Sequence, residues 1–250
     1  MRKVLGMISK ADRDFNLIEE GDKIAVGVSG GKDSMAMLYA LKLYKNMTNV
    51  NYEIIGITLK LGFPNMDYNP VKDFCNLHGI EYKTVDTEVY EVLKSKADHK
   101  GNIPCSLCSK FKKALLIDEA KKLGCNKVTM GHHLDDGIET LMMNAIFNGF
   151  LSTFQPKMYL DQTDVMFIRP LIYVKEHQLI NAVKNGDIPV VTSTCPMDKH
   201  TKREEVKHWL EDVYRKFPTA KKNFKNMLIH PERVSLWERT GSDEDEKNKN

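Results

Sequence analysis

Between residues 24 and 148, short apolar runs alternate with longer stretches in which apolar residues recur every three or four positions. The short runs are rich in β-branched residues and predict strands at 24–28, 52–59, 81–85 and 127–130. The longer stretches predict helices at 33–45, 69–78, 89–94, 105–123 and 136–147. This alternation predicts the α/β fold class, with a doubly wound parallel sheet that carries helices on both faces.

The pattern changes on both sides of this region. Residues 1–20 predict an N-terminal helical segment with Val4, Met7, Ile8 and Ala11 on one stripe. After a hairpin predicted at 157–168, the chain predicts helices at 176–184, 202–216 and 219–228 and a short strand at 189–191. We therefore expect an α/β domain over 21–170, a small C-terminal helical region over 171–232 and a disordered acidic tail over 241–250.

Composition adds little to this picture. The 250 residues are 42% hydrophobic and 28% charged, with a net charge of +3, as in an ordinary globular protein. No apolar stretch approaches the roughly 20 residues of a membrane span, and no signal peptide is recognisable, so we expect a cytoplasmic protein without membrane association. Basic residues cluster at 94–113 and 199–225, where the alternatives are a solvated face and a nucleic-acid contact.

A glycine-rich turn between the first predicted strand and its helix is the first candidate site. It reads Ser29-Gly30-Gly31-Lys32-Asp33-Ser34. Glycines let the backbone approach an anion, the helix start supplies free N–H groups, and lysine adds a positive charge. The spacing differs from that of a Walker A loop, and the alternative to a phosphate site is a turn that binds nothing.

The second candidate site follows the fourth predicted strand and reads Gly131-His132-His133-Leu134-Asp135-Asp136. Two acids beside two histidines suit Mg²⁺ and a triphosphate, although either acid could instead cap the next helix. Ligands of parallel sheets bind at the carboxyl ends of the strands. We therefore expect this loop and the glycine-rich turn to meet at one edge of the sheet.

Cysteine spacing defines a third candidate. Cys105 and Cys108 form a C-x-x-C pair at a predicted helix start, and Cys195 lies far along the chain. Such a pair fits a redox couple, a zinc half-site or iron–sulfur ligation. Structural zinc normally takes four protein ligands, whereas three cysteines suit a [4Fe–4S] cluster with one iron left open. The remaining Cys75 and Cys125 are interpreted as ordinary cysteines.

Two of these motifs resemble those of a known superfamily. Ser-Gly-Gly-Lys-Asp-Ser is similar to the PP-loop of the ATP pyrophosphatases, which cleave ATP to AMP and pyrophosphate and adenylate a substrate oxygen. Gly-His-His-Leu-Asp-Asp resembles the Gly-His-His-x-Asp-Asp motif of the branch that thiolates tRNA. The resemblance implies that ATP lies over Ser29–Ser34, with Gly131 near the nucleotide and Leu59 holding adenine by its main chain. It also implies that Asp135 and Asp136 face the phosphates and Mg²⁺.

The cysteines extend the resemblance. Pro-Cys-x-x-Cys followed about 87 residues later by a single cysteine is similar to the cluster-binding pattern of the TtcA/TtuA group of tRNA 2-thiolation enzymes. The resemblance implies that Cys105, Cys108 and Cys195 hold a [4Fe–4S] cluster beside ATP. Arg169-Pro170-Leu171 also matches that group. The resemblance covers about residues 22–230 and is greatest to the 2-thiocytidine (TtcA) branch. That branch has a second Cys-x-x-Cys pair at the later site, and the second cysteine of this pair is missing here. The zinc-binding cysteines that the TtuA branch carries near both termini are also missing.

The resemblance implies a reaction in two halves. A base carbonyl oxygen of tRNA attacks the α-phosphate of ATP. Lys32 and Ser34 stabilise the charge on the phosphates, and Asp33 is a further catalytic residue of the loop. Sulfide on the open iron, or a persulfide on a cysteine, then displaces AMP. The implied partners are tRNA and a sulfur donor, either a cysteine desulfurase or free sulfide, and a homodimer is possible in the group. The alternatives are an amide or amine ligase similar to lysidine or NAD synthetases, and a nucleotide-binding iron–sulfur redox sensor.

Overall fold

The computed structural model describes residues 1–99, 101–197 and 201–237, so the acidic tail expected at 241–250 lies outside the described residues. The elements are, in chain order, α1 (Arg2–Phe15), β1 (Lys23–Gly27), α2 (Lys32–Tyr44), β2 (Glu53–Lys60), α3 (Asn69–Leu77), β3 (Glu81–Asp86), α4 (Val89–Lys94), α5 (Cys105–Lys122), β4 (Lys127–Thr129), α6 (Leu134–Met143), β5 (Lys157–Leu160), β6 (Val165–Ile168), α7 (Glu176–Asn185), α8 (Lys202–Lys216) and α9 (Ala220–Ile229). A π-helical turn, Asn144–Asn148, extends α6, and a 3₁₀ turn, Pro231–Arg233, follows α9.

The six strands within the described residues form one sheet in the order β3-β2-β1-β4-β6-β5. All neighbouring strands are parallel except β5 and β6, which form the predicted hairpin. The chain places β2 and β3 on one side of β1 and β4 on the other, so the strand order reverses between β1 and β4. The predicted doubly wound parallel sheet is thereby confirmed, and this reversal is where such sheets bind ligands.

Apolar side chains cover both faces of the sheet. On one face, α1, α2 and α7 enclose the largest core cluster, in which Ile8, Met37 and Leu179 are fully buried. On the other face, α5 packs Leu116 and Ile117 against the strands. A separate apolar cluster joins α6 to α8 and α9, so the C-terminal helices are attached beside the loop that follows β4.

The hairpin predicted at 157–168 widens the sheet, because β6 pairs in parallel with β4. The strand predicted at 189–191 is wrong: this stretch is irregular, and the backbone N–H of Val191 donates to the carbonyl oxygen of Gly30 at 2.9 Å. The segment therefore lies alongside the glycine-rich turn and pairs with no strand of the sheet. None of the described helices combines the length and the apolar character that a bilayer span requires.

Candidate functional site

A cavity of about 390 Å³ opens at the carboxyl ends of β1 and β4. Five stretches of the chain line it: the glycine-rich turn, the end of β2, the loop after β4 and the two cysteine-bearing segments. The predicted site residues among its lining are Ser29, Gly31, Asp33, Ser34, Leu59, Gly131, Asp136, Cys108 and Cys195. The three candidate sites found in the sequence are therefore parts of one cavity.

The glycine-rich turn is held in shape by its own hydroxyl groups. Ser34 Oγ donates to the carbonyl oxygen of Gly31 at 2.9 Å and accepts from the N–H of Ser29 at 3.2 Å. The N–H of Gly31 contacts Ser29 Oγ at 3.3 Å. Gly30 has a φ of +84°, which favours glycine, and a Cβ there would also meet the Cβ of Val191 at 2.8 Å. The turn is thus preorganised at the start of α2.

Gly131 brings the loop after β4 against this turn. A Cβ on Gly131 would lie 3.0 Å from the backbone nitrogen of Ser34 and 3.1 Å from the carbonyl carbon of Asp33. These neighbours are backbone atoms, which yield less readily than the end of a flexible side chain, so a larger residue at position 131 would push the two loops apart. The contact fixes the distance between the two loops that line the cavity.

Lys32 takes part in a chain of ion pairs. Its Nζ lies 3.0 Å from Asp33 Oδ2 and 3.0 Å from Glu176 Oε1, and Lys207 Nζ contacts the same Glu176 oxygen at 2.9 Å. Burial works to lower the pKa of Lys32, but Asp33 and Glu176 raise it overall. Burial likewise works to raise the pKa of Glu176, yet hydrogen bonds from Lys207 and Lys32 hold it at about 2. The lysine therefore stays charged beside the turn.

The two acids of the second motif have different surroundings. Asp136 lines the cavity, and its Oδ2 accepts from the N–H of His133 at 2.9 Å in a reciprocal cap at the start of α6. Asp135 instead contacts α7 and α9: its Oδ2 accepts from the N–H of Glu176 at 2.8 Å, and its Oδ1 pairs with Lys221. The capping role considered for these acids is thus present at Asp136, together with exposure to the cavity.

His132, one of the two histidines of the second motif, also lines the cavity. Its Nδ1 is buried and lacks a hydrogen-bond partner among the described residues, and burial lowers its pKa to about 4. Behind it, the ring of Phe154 lies 5.1 Å from the imidazole, and Arg169 stacks on Phe154 at 4.8 Å and on Phe167 at 4.6 Å. Arg169 of the Arg-Pro-Leu match therefore supports this wall of the cavity.

The two cysteine-bearing segments form another part of the cavity, which we call the cysteine wall; Cys108 and Cys195 line the cavity, whereas Cys105 is not among its lining residues. Cys105 is exposed at the first position of α5, Cys108 is buried one turn later, and Cys195 is half-buried and packs in the same apolar cluster as Cys108. Burial raises the pKa of the Cys108 thiol, Lys112 opposes this, and the nearby thiols of Cys195 and Cys105 add to it. Lys112, one of three lysines that follow the C-x-x-C pair and are expected to favour thiolate, also lines the cavity.

These thiols do not form a site for a single metal ion. Within the described parts of the chain, no three His, Cys, Asp or Glu side chains are grouped so that they could hold one metal ion. All five cysteines are free. Cys75 and Cys125 are buried away from the cavity, and burial raises the pKa of each to about 11.

Comparison with known proteins agrees with this arrangement. Residues 4–213 match the PP-loop domain family. A tRNA-cytidine(32) 2-sulfurtransferase of Geobacter metallireducens is 35% identical over 240 residues, which cover 95% of this chain and 93% of the relative. One from Geobacter sulfurreducens is 34% identical over 229 residues, covering 91% and 89%. The chain belongs to the PP-loop family of tRNA 2-sulfurtransferases.

A solved structure shares the fold of this family member. The U34-tRNA thiolase NcsA from Methanococcus maripaludis, solved with its [4Fe-4S] cluster, superposes with a TM-score of 0.72 at 24% identity, covering 94% of this chain and 79% of that one. The resemblance suggested by Ser29–Ser34 and Gly131–Asp136 is therefore confirmed at the level of family and fold. Family membership favours tRNA thiolation over the amine-ligase and redox-sensor alternatives.

Proposed function

We propose that this protein binds ATP and uses it to replace the 2-oxygen of a tRNA cytidine with sulfur, at the position 32 that the names of its relatives give. One observation carries the proposal. The phosphate loop and two of the three motif cysteines line the same cavity, so a base that enters it meets both an activating nucleotide and a sulfur-handling wall.

ATP would lie with its phosphates over the glycine-rich turn. Helix α2 begins at Lys32, directly after the turn, and the ammonium group of Lys32 pairs with Asp33 of the cavity lining, so the first N–H groups of the helix and this charge both favour a polyanion here. Leu59, at the end of β2, lines the same cavity and is the candidate adenine contact.

A magnesium ion fits two acids of this cavity. Asp33 Oδ1 is buried and lacks a hydrogen-bond partner within the described chain, and Asp136 lines the cavity beside it. Burial raises the pKa of Asp33, although His133 and Lys32 oppose this, so a bound cation would favour its ionised form. Asp135 is engaged by Lys221 and the backbone of α7, so we assign it a structural role here.

With ATP and Mg²⁺ bound in this way, the base is activated in one step. The 2-oxygen of cytosine attacks the α-phosphorus, the bond to the β-phosphate breaks, and pyrophosphate leaves while the base carries AMP. Lys32 stays protonated because its carboxylate partners outweigh burial, so its charge is available to stabilise the leaving phosphates. A sulfur nucleophile then adds at C2, and AMP departs.

The three-cysteine wall fits a [4Fe–4S] cluster. Thiolates of such a cluster bind different irons, so they need not converge on one point as ligands of a single ion do. Cys105, Cys108 and Cys195 are free thiols near one another; burial raises the pKa of Cys108, and Lys112 lies close enough to oppose that rise. When bound, the cluster would supply an iron without a protein ligand, on which sulfur from a desulfurase or free sulfide can be carried.

The deciding experiment combines a metal count with a product assay. The protein is purified without oxygen, iron and acid-labile sulfide are counted per chain, and thiolated cytidine is measured after incubation with ATP, Mg²⁺, sulfide and tRNA. About four irons per chain are expected. Cys105→Ser, Cys108→Ser and Cys195→Ser should each lose iron and thiolation.

A matched control is the Cys75→Ser variant, which removes a thiol outside the cavity and should keep both iron and product. Zinc in place of iron, or full thiolation by the three motif variants, would exclude the cluster and its ligands. Formation of an amide or amine product from tRNA would instead support a ligase.

A further inference from the structure

Close to the cavity, one short segment exposes large apolar side chains to solvent. The π-helical turn and the residues after it carry Ile146, Phe147, Phe150 and Leu151, and the exposed fractions of Phe147 and Phe150 are 43% and 52%. Contiguous exposed apolar groups of this kind mark interaction sites. We call Ile146, Phe147, Phe150 and Leu151, together with Lys202 and Trp209 of α8, the aromatic rim.

The segment is held in a defined conformation. Asn144 Nδ2 donates to the carbonyl oxygen of Ser152 at 2.8 Å, and Asn144 Oδ1 accepts from Asn148 Nδ2 at 3.0 Å. The backbone N–H of Phe150 donates to the carbonyl oxygen of Asn144 at 3.3 Å, and Gly149 makes the turn with a φ of +70°. The two phenylalanines are therefore presented to solvent by a closed loop whose backbone is already ordered.

Positive charge accompanies the rings. Lys202 Nζ lies 4.7 Å from the centre of the Phe147 ring. Trp209 follows Lys202 by seven residues, two helical turns, so the two share one face of α8 about 10 Å apart, and Trp209 is 47% exposed. Of the acidic residues of this helix, Asp212 pairs with Arg215, and Glu204 and Glu211 lie 3.6 and 3.4 Å from His208. Glu205 is exposed three residues after Lys202 and shares its face, so Lys202 is the group of this face that can attract an anion and Glu205 the group that opposes it.

The aromatic rim borders the proposed active site. Arg203, next to Lys202, reaches Asp136 of the cavity wall at 3.4 Å. From the other end of the segment, Thr153 Oγ1 bonds the carbonyl oxygen of Gly137 at 2.9 Å, and the next residue, Phe154, stacks on His132. A macromolecule that inserts one group into the cavity would therefore lie across the aromatic rim.

We propose that the aromatic rim is the docking surface for the single-stranded loop of the tRNA, whose unpaired bases stack on Phe147, Phe150 and Trp209 while Lys202 binds a backbone phosphate. Exposed aromatic rings beside cations fit unpaired RNA, because every base offers a face for stacking and every nucleotide a phosphate. A purely apolar partner would not require the lysine. This inference rests on the proposed tRNA substrate and adds the surface that selects it.

The test compares two RNA probes: a hairpin that carries a single-stranded loop, and a fully paired duplex of equal length. Phe147→Leu combined with Phe150→Leu keeps apolar side chains but removes the stacking rings. We expect the full-length variant to bind the hairpin about ten-fold more weakly or worse, as the loss of one base–aromatic stack gives. Duplex binding should not change. Phe147→Tyr with Phe150→Tyr should keep the affinity, and Leu77→Ala, on the exposed face of α3, is the matched control.

Lys202→Gln is a separate test of the phosphate contact. It should weaken the binding of both RNAs and reduce the slope of log K against log salt concentration by about 0.7 to 0.9. In turnover, the aromatic variants should raise the KM for tRNA and leave kcat at saturating tRNA unchanged, because the rings hold no reacting group.

Three outcomes contradict the proposal. If the wild type binds the hairpin and the leucine variant binds it equally well, the aromatic rim is not the tRNA surface, while the proposed function stands. If the variant changes only the oligomeric state, the aromatic rim is a contact between two copies of the chain. If the wild type binds no tRNA, the docking surface and the proposed function fail together.

Discussion

The phosphate loop and the cysteine wall line the same cavity, but different interactions hold them in place. The loop is fixed by hydroxyl hydrogen bonds, by the glycine contact at Gly131 and by ion pairs around Lys32. The cysteine wall rests on apolar packing around Cys108, whose thiol pKa is raised by burial. The side chains of the phosphate loop are thus in place before ATP arrives, whereas ligation of the proposed cluster would require the thiols of the cysteine wall to be deprotonated.

Lys32→Ala should have the largest effect, and it tests whether the phosphate loop and the cysteine wall are held in place independently. Without the ammonium group, charge on the leaving phosphates is not stabilised, and we expect thiolation to fall by at least about 100-fold. Iron content should be unchanged, because the cysteine wall does not depend on the ion pairs of the loop. Product formation and iron are measured on the same preparation. Thiolation at the wild-type rate would contradict the role of the phosphate loop, and a loss of iron would contradict the separation.

Gly131→Ala tests whether the phosphate loop depends on the close contact between Gly131 and its backbone. The new Cβ would lie 3.0 Å from the Ser34 nitrogen, so we expect a loss of about 1–3 kcal/mol in the free energy of unfolding and weaker ATP binding. Denaturant unfolding and nucleotide titration measure the two effects. Gly6→Ala is the control, because in α1 nothing lies within 4 Å of its Cβ position, and alanine favours a helix. Equal stability of the two variants would show that the contact is not tight.

Glu176→Gln tests the ion pairs on the far side of Lys32. The pKa of Glu176 is held at about 2, below its ordinary value of 4.5, so its pairing contributes stability above about pH 4.5 that is lost as the pH falls towards 2. Over that interval the wild type should lose more unfolding free energy than the variant, by up to about 3 kcal/mol. Parallel denaturant titrations at several pH values give the difference. If the unfolding free energies of the wild type and the variant change with pH in parallel, the pairing of Glu176 with Lys32 and Lys207 contributes nothing to stability.

The same contrast explains what the sequence could and could not reveal. The phosphate loop, the Gly-His-His-Leu-Asp-Asp loop and the Cys105–Cys108 pair are runs of neighbouring residues. The strand pattern places the two loops at one sheet edge, whereas only the family resemblance implied that the cysteine pair lies beside them. The contacts of Asp135 with Lys221 and of Glu176 with Lys207 depend on where α7, α8 and α9 dock, which no local pattern encodes. The strand expected at 189–191 failed for the same reason, since its backbone pairs with a loop and not with the sheet. The ligand roles of the predicted site residues stay predictions.

Substituting Cys75 and Cys125 together should have the smallest effect. Both thiols are buried outside the cavity with pKa values raised to about 11, so they should resist alkylation at pH 8 in the folded protein. The double Cys→Ala variant should keep its iron and its thiolation rate and lose about 1 kcal/mol of unfolding free energy per site, because each change leaves a small void. Iron counting, product assay and denaturant unfolding on one sample test all three. Loss of iron would place a ligand outside the cysteine wall, and the division between the two walls would then have to be redrawn.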